Sequence, residues 1–492
     1  MGTLILPGGT GFPLCAEDAG TALTDLLLRS GATFSLPCGG AGKCGKCAVR
    51  VTGNGLEIPE ADANGRVLAC RCIVRDPAED IVLSEAAFLG LCPEKPSDTQ
   101  LVPDESLGLA VDIGTTTVLL SVWELSGEPR RLGEARFFNP QSAFGQDVIS
   151  RVAAARRGKA AELRTVLSDA LRTETVRLLE SLGREGFPVQ VTVAANTAML
   201  CLALGFDVKG LSRAPFTVPD RFGKTYPLSL LFPGAEGTLT VPPVIGPFLG
   251  ADTVAALTAS DFSGKEPPAL FLDLGTNGEM ALSDGTRLLC CSAAAGPALE
   301  GAGISCGGLY GPGAVTDAAV QGEEIRLTVC GDRPADRLCA SGLIACADAL
   351  VSLGKVAPNG TIADADERKT GVPLGKTGLR LTQEDIRALQ LAKAAMRAGL
   401  SALMRRLPED AVPALYLTGG IPATASAKRI GLLPPECAVQ RVADALRGAE
   451  LLLTEPDTLA RMMEIADRAE VLELNREPVF EEDLMRFMRF GE

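Results

Sequence analysis

Two stretches of this chain repeat one design. LGLAVDIGTTTVLLSVWEL, from Leu107, and PALFLDLGTNGEMALSDG, from Pro268, each set Asp-x-Gly-Thr between two apolar runs. Asp112 and Asp273 stand 161 residues apart. One D-x-G-T is a weak signal, because hairpin turns favour Asp and Gly anyway. Two copies in the same context, a domain's length apart, read as an internal duplication of a strand–turn–strand unit. Such a turn offers backbone N–H groups and Thr hydroxyls to phosphate oxygens, and its glycine lets a ligand approach the backbone. The two aspartates can hold Mg²⁺, mostly through water. Asp112, Gly114, Thr115, Thr116 and Thr117 in one copy, and Asp273, Gly275, Thr276, Asn277, Gly278 and Glu279 in the other, are therefore candidate contacts to a nucleotide's phosphates and metal. A third element, ALYLTGGIPA, reads as a strand ending in Gly419-Gly420, where missing side chains leave room for adenine and ribose. There is no G-x4-G-K-[ST] loop.

Composition narrows the chemistry. The chain has 492 residues, enough for about two to four domains. Its net charge is −14 and no block of Lys or Arg interrupts it, which argues against nucleic acid or an anionic membrane as partner. No apolar run has transmembrane length, and the start, MGTLILPGGTGFPL, lacks the charged and apolar regions of a secretory signal. Fifteen cysteines without an export signal point to a reducing cytoplasm. Histidine is absent altogether, so a metal here is held by thiolate or oxygen. Proton transfer falls to carboxylate, Lys, Cys, Tyr or water.

Near the start, CGGAGKCGKC carries Cys38, Cys44 and Cys47 as C-x5-C-x2-C. A fourth thiol, Cys70 or Cys72, follows in RVLACRC. Zinc knuckles favour two close pairs, and only one is present. The spacing is near the plant-type [2Fe–2S] pattern C-x4-C-x2-C…C, with one residue more in the first gap. Gly39, Gly40, Gly42 and Gly45 suit a loop that must take positive φ around its sulfurs. TLILP and FPLCA predict a hairpin, TALTDLLLRSG a short helix stopping at Gly31, and CAVRVTG and DIVLSE further strands. This order resembles a β-grasp ferredoxin. The resemblance makes Cys70 the fourth ligand, since LAC is similar to the ferredoxin fourth-ligand segment; Cys15 and Cys92 read as packing residues.

Residues 93–106, PEKPSDTQLVPDES, read as a linker. Beyond it the landmarks resemble the ASKHA superfamily, the fold shared by acetate kinase, sugar kinases, Hsp70 and actin. DIGTTT and DLGTNGE match its two phosphate loops, AANTAML its first connecting segment with Asn196, LTGG its adenosine loop, and RGAELLL its second connecting helix. The expected architecture is an α+β β-grasp [2Fe–2S] domain over 1–92, the linker, a two-lobed α/β ASKHA domain over 107–265 and 266–450, and a C-terminal segment, 451–492, packing on it. The acidic part of that tail reads as a solvated helix face.

NPQSAFGQDVISRV, FLGADTVAAL, SAAAGPALEGAGISCGG and LTQEDIRALQLAKAAMRAG, with these loops, are similar to the reductive activators of corrinoid proteins. That resemblance implies an ATP-dependent reductase. A [2Fe–2S] cluster on Cys38, Cys44, Cys47 and Cys70 would pass one electron to a methyl-transfer protein's Co(II) corrinoid, restoring Co(I). ATP and Mg²⁺ would be cofactors, and Asp273 or Glu300 would orient the attacking water. A corrinoid protein, an upstream low-potential donor and a second copy of the chain in a homodimer are the expected partners. The chain departs from the family at Leu200-Cys201, where histidine is frequent, at Ala443-Asp444, where Gly-Asn is common, and in having only a linker where the best-known members carry a further domain. Two other readings keep the nucleotide fold and give it a different role. One is an activator of another low-potential metalloenzyme, resembling those of 2-hydroxyacyl-CoA dehydratases; the other is a nucleotide-sensing regulator.

Finally, Thr382 and Asp385 predict a capped helix with Ile386, Leu389, Met396, Leu400 and Leu403 on its apolar stripe. Cys290 and Cys291 read as core.

Overall fold

The computed structural model describes residues 2–7, 9, 11–30, 33–34, 42, 47–59, 61–62, 65–85, 89–90, 101–301, 303–308, 310–419 and 425–492. Gly31, Cys38, Cys44, Cys92, residues 93–100 and Gly420 lie outside them.

The first unit is built on a five-stranded sheet in the order Gly11–Pro13, Thr3–Ile5, Ile81–Glu85, Ala48–Thr52, Val67–Leu68. The opening hairpin is antiparallel, and its first strand runs parallel to Ile81–Glu85. Helix Leu23–Arg29 buries Leu23, Leu26 and Leu27 in one core with Val49, Ile81 and Leu83. This is the β-grasp arrangement expected from the sequence.

The duplicated motif marks a duplicated half-sheet. Strand Pro103–Ile113 pairs antiparallel with Thr117–Glu124, which pairs antiparallel with Arg130–Phe138. On its other side run Phe187–Ala195 and then Thr238–Pro243, both parallel. In the second lobe Ala269–Leu274 pairs antiparallel with Asn277–Ser283, and that with Leu288–Ala294, while Ala414–Gly419 and Val439–Arg441 follow in parallel. Leu109, Ala110, Val111 and Ile113 are all fully buried, as a central strand covered on both faces requires.

Two readings of the sequence need correction. Residues 103–106, assigned to the linker, are already strand: Pro103 and Asp104 pair with Phe187 and Pro188. Their polar, Pro-bearing composition fits an outer strand end as well as a loop. The C-terminal segment packs on both lobes, helix Thr458–Arg468 against Ala251–Ala259 and Thr238–Pro243 and helix Phe480–Arg486 against Gln383–Met404, and it is not simply a solvated face. Ala469–Val471 adds an edge strand beside Leu288–Ala294. In helix Phe480–Arg486, Glu481 and Glu482 are exposed, whereas Asp483 is buried and paired with Arg405. Phe487 and Phe490 are buried against helix Gln383–Met404, whose Lys393 Nζ donates to the carbonyl oxygens of Arg489 at 2.5 Å and Glu492 at 3.2 Å. That helix has the anticipated Thr382–Asp385 capping box and buries all five stripe residues. Cys290 and Cys291 are fully buried. None of the helices among the described residues is long and apolar enough to cross a membrane.

Helices Ala251–Ala259 and Ala445–Thr454 lie between the two large sheets and share a core with Ala110, Ala194, Ala269 and Phe271. They cross on small residues. A Cβ on Gly448 would stand 2.3 Å from the Ala255 carbonyl oxygen, so the helices meet backbone to backbone. Overpacking at such a point typically costs roughly 1–3 kcal/mol. Gly448→Val is therefore expected to lower the thermal midpoint by several degrees, which circular dichroism would read. An unchanged midpoint would mean that the crossing is loose.

Candidate functional site

Register brings the loops together. In the first sheet Ile113 pairs with Ala195, so the DIGTTT turn and Asn196 leave the same strand ends side by side. In the second, Leu274 pairs with Gly419, placing the DLGTNGE turn beside the LTGG loop. Both pairs open at the carboxyl ends of parallel strands, where α/β sheets present their ligand crevices. Between them lies a cleft of about 860 Å³. Asp112, Gly114, Thr115, Thr117 and Asn196 line one wall; Asp273, Gly275, Thr276, Asn277, Glu279, Glu300 and Gly419 line the other.

The lobes touch at the floor, where Thr116 Oγ1 and Thr276 Oγ1 are 3.1 Å apart. Thr276 Oγ1 donates to Glu300 Oε1 at 2.6 Å. Asn196 caps helix Thr197–Leu204 by accepting from the Met199 N–H at 3.0 Å, and its Nδ2 donates to Thr115 Oγ1 at 3.1 Å. Gly419 has φ +89, and a Cβ there would meet the Leu274 carbonyl oxygen at 2.4 Å. Glycine is required by both the conformation and the space. Gly278 behaves differently from its neighbours: its open face is filled by Met396, whose Sδ would lie 1.9 Å from a Cβ, so it serves packing rather than the cleft.

The sequence reading missed several residues of the site. Asp252, in the first turn of helix Ala251–Ala259, and Asp444, the N-cap of helix Ala445–Thr454, both line the cleft. FLGADTVAAL contained the first, and the Ala443-Asp444 departure from the family held the second. Arg441 reaches across to the Gly419 carbonyl oxygen at 2.9 Å.

Six carboxylates thus face one cleft, against two guanidinium groups, those of Arg136 and Arg441. Burial, reinforced by Asp252, Asp444, Asp273 and Glu300, holds the Asp112 carboxyl well above the usual range. Burial raises Asp273 to about 7, with Asp252, Asp444 and Glu300 adding to it. Asp252 is lifted to about 6 by burial. Glu279 is pushed well up by burial and then by Asp252, Asp273 and Glu300. Crowded oxygen donors of one sign suit a hard divalent cation; Cys330 and Cys339 also line the cleft.

In the first unit, Cys47 Sγ lies 3.3 Å from Cys70 Sγ. Cys72 is fully buried, and its thiol turns to the Leu68 carbonyl oxygen at 3.4 Å. Burial, with Cys47 adding to it, raises that thiol to about 11. Gly42 has φ +69 and packs under the Arg71 guanidinium, 2.2 Å from where a Cβ would stand.

Three family models match this chain. The 2Fe-2S iron-sulfur cluster binding domain matches residues 6–75, the RACo middle region residues 107–265, and the C-terminal domain of RACo, the ASKHA domain, residues 267–491. The corrinoid activation enzyme RamQ of Eubacterium limosum is 27% identical, with 98% of this chain and 99% of that protein aligned. The alignment runs over 601 positions, so that relative carries insertions this chain lacks. A [Co(II) methylated amine-specific corrinoid protein] reductase of Methanosarcina barkeri is 30% identical over 59% of this chain and 58% of its own length. Among solved structures, a reductive activator for corrinoid, iron-sulfur protein superposes with a TM-score of 0.71 at 24% identity, covering 100% of this chain and 99% of that one. The β-grasp unit, the duplicated half-sheets and the matched segments together place the chain in the RACo family of reductive activators, a [2Fe–2S] ferredoxin-like domain followed by a two-lobed ASKHA domain.

Proposed function

We propose that this chain is an ATP-dependent reductase that restores a corrinoid protein's cobalt from Co(II) to Co(I). The observation that carries the reading is the meeting of two phosphate-type hairpins, one from each lobe, in a chain that begins with a ferredoxin-like domain. The names of its relatives supply the target.

Each side chain has a role that follows from its place. Thr115, Thr117, Thr276 and Asn277 present donors to phosphate oxygens, and Gly114 and Gly275 let those oxygens approach the backbone. Gly419, with no side chain to strike the Leu274 carbonyl oxygen, lets its loop close against the second hairpin at the cleft wall, beside which adenosine would lie. Asn196 fixes the Thr115 hydroxyl. A polyphosphate cannot enter a cleft lined by six carboxylates without accompanying cations. Asp112 and Asp273 would hold Mg²⁺, with Asp252 and Asp444 close enough to share its waters; the ion supplies charge neutralisation and orientation of the phosphates. Glu300, ordered by Thr276, and Asp273 orient the water that attacks the terminal phosphate, in a reaction that depends mostly on positioning.

In the first unit, Cys38, Cys44, Cys47 and Cys70 would hold the cluster. The Cys70 sulfur beside Cys47, and the turn of the Cys72 thiol toward the Leu68 carbonyl oxygen, favour Cys70 over Cys72. The bound cluster supplies one electron, at roughly −400 mV for the plant type, and an external low-potential donor refills it. Transfer to Co(II) runs uphill, at about 2.3 kcal/mol for each 100 mV. Closure of the lobes on ATP supplies a difference in binding free energy between conformations, which is the means by which a ligand can drive such a step.

Two sets of outcomes test this. Anaerobically purified protein should contain two irons and two sulfides per chain, by analogy with plant-type sites. Cys70→Ser should lose its visible spectrum while Cys72→Ser keeps it; stoichiometric zinc instead of iron would sink the assignment. The second set uses the visible spectrum of a Co(II) corrinoid protein, under a low-potential donor. Co(I) should accumulate only when ATP and Mg²⁺ are present. Asp112→Ala and Asp273→Ala should each keep Co(I) from accumulating even with ATP and Mg²⁺, and leave the cluster spectrum intact. Full-rate Co(I) formation without nucleotide would overturn the reading.

A further inference from the structure

The segment NPQSAFGQDVISR, residues 139–151, lies behind the first phosphate hairpin and is bonded to it at three consecutive carbonyls. Asn139 Nδ2 donates to the Gly114 oxygen at 2.8 Å. Arg151 Nη2 donates to the Thr115 oxygen at 2.6 Å. The Asn139 backbone N–H donates to the Thr116 oxygen at 2.9 Å. A trans peptide is planar, and its C=O and N–H point in opposite directions. Three carbonyls drawn backward therefore turn the next three N–H groups, those of Thr115, Thr116 and Thr117, forward. Thr115 and Thr117 line the cleft on that side.

Arg151 is unusual in its own right. It is fully buried, and its hydrogen bonds go to the Gly145 oxygen at 2.9 Å, the Thr115 oxygen and the Met199 sulfur at 3.2 Å, not to a carboxylate. Burial lowers its guanidinium to about 9, while Asp147 and Glu300 act in the other direction. A buried charge without an anionic partner is costly, and an anion arriving nearby offsets that cost. Asn139 is equally buried and is fixed by capping the turn Pro140–Phe144.

We propose that Arg151 and Asn139 are positioning residues for the nucleotide's phosphates. They aim the amides of Thr115, Thr116 and Thr117 into the cleft, and Arg151 sets a fixed positive charge directly behind them. The proposal rests on the reading of the cleft as a nucleotide site. It explains how a cleft rich in carboxylates keeps a positive edge for phosphate on the first lobe.

The test compares two probes on the full-length protein: MgATP, and adenosine, which has no phosphates. Hydrogen bonds to charged groups contribute about 1.5–3 kcal/mol, so Arg151→Met should weaken MgATP binding by at least about tenfold. Adenosine affinity, iron content and the visible spectrum should stay as in the wild type. Arg151→Lys keeps the charge without the guanidinium fork, and should bind MgATP with intermediate affinity. A purely structural role would lower the affinities for MgATP and adenosine together. That result, or wild-type MgATP affinity in Arg151→Met, overturns the proposal. Should Arg151→Met fail to fold, Arg151→Lys decides alone: weakened MgATP with unchanged adenosine supports the assignment, and wild-type MgATP binding overturns it. A wild-type protein that binds neither probe would instead condemn the nucleotide reading itself.

Discussion

Partial dehydration of carboxylates crowded into one cleft is the constraint around which it is organised. Asp112, Asp252, Asp273 and Glu279 lose their hydration together, within reach of one another's charge and of Glu300 and Asp444. Burial comes first in raising all four, and like charge adds to it at Asp112, Asp273 and Glu279. Such an arrangement is a poor foundation for a fold and a good receptor for a divalent cation. Stability has to come from elsewhere, and it does: from the two central strands buried on both faces and from the small-residue crossing between the sheets.

How far the sequence could be read follows from the range of the contacts involved. The two hairpins, the Asn196 cap, the Thr382–Asp385 capping box and the apolar stripe from Ile386 to Leu403 are local, and each is written within a few residues. Duplication added long-range information, because two like turns imply a shared ligand. Asp252, Asp444 and Arg441 come to the cleft from helices and strands whose own patterns give no hint of it. Arg151 reads as one more cation on a helix, and nothing nearby in sequence says that it is buried beneath Thr115, 36 residues away. Gly278 failed as a cleft residue for the same reason: its partner, Met396, lies on a distant helix. Between Cys70 and Cys72 spacing leaves both open, and the two side chains point differently, Cys70 to Cys47 and Cys72 to the Leu68 carbonyl oxygen.

The two units divide the chemistry cleanly. Thiolates belong to the first, where soft ligands suit iron and sulfide, and carboxylates to the second, where hard oxygen suits a dication. With no histidine anywhere in the chain, imidazole serves neither site. Four cysteines of the second unit, Cys290, Cys291, Cys346 and Cys437, are buried in its core, and burial holds their thiols protonated, whereas Cys330 and Cys339 line the cleft.

The hydroxyl contact between Thr116 and Thr276 has a consequence for how far apart the two turns stand. It is a neutral bond at the floor of the cleft, and such bonds contribute about 1 kcal/mol net, a roughly fivefold preference for the touching state. The lobes are already joined behind the cleft by the crossing of helices Ala251–Ala259 and Ala445–Thr454, so this bond adds little to their cohesion. What it sets is spacing: two phosphate-type turns whose hydroxyls touch stand at one separation, and a ligand that bridges them either fits that gap or displaces a weak bond.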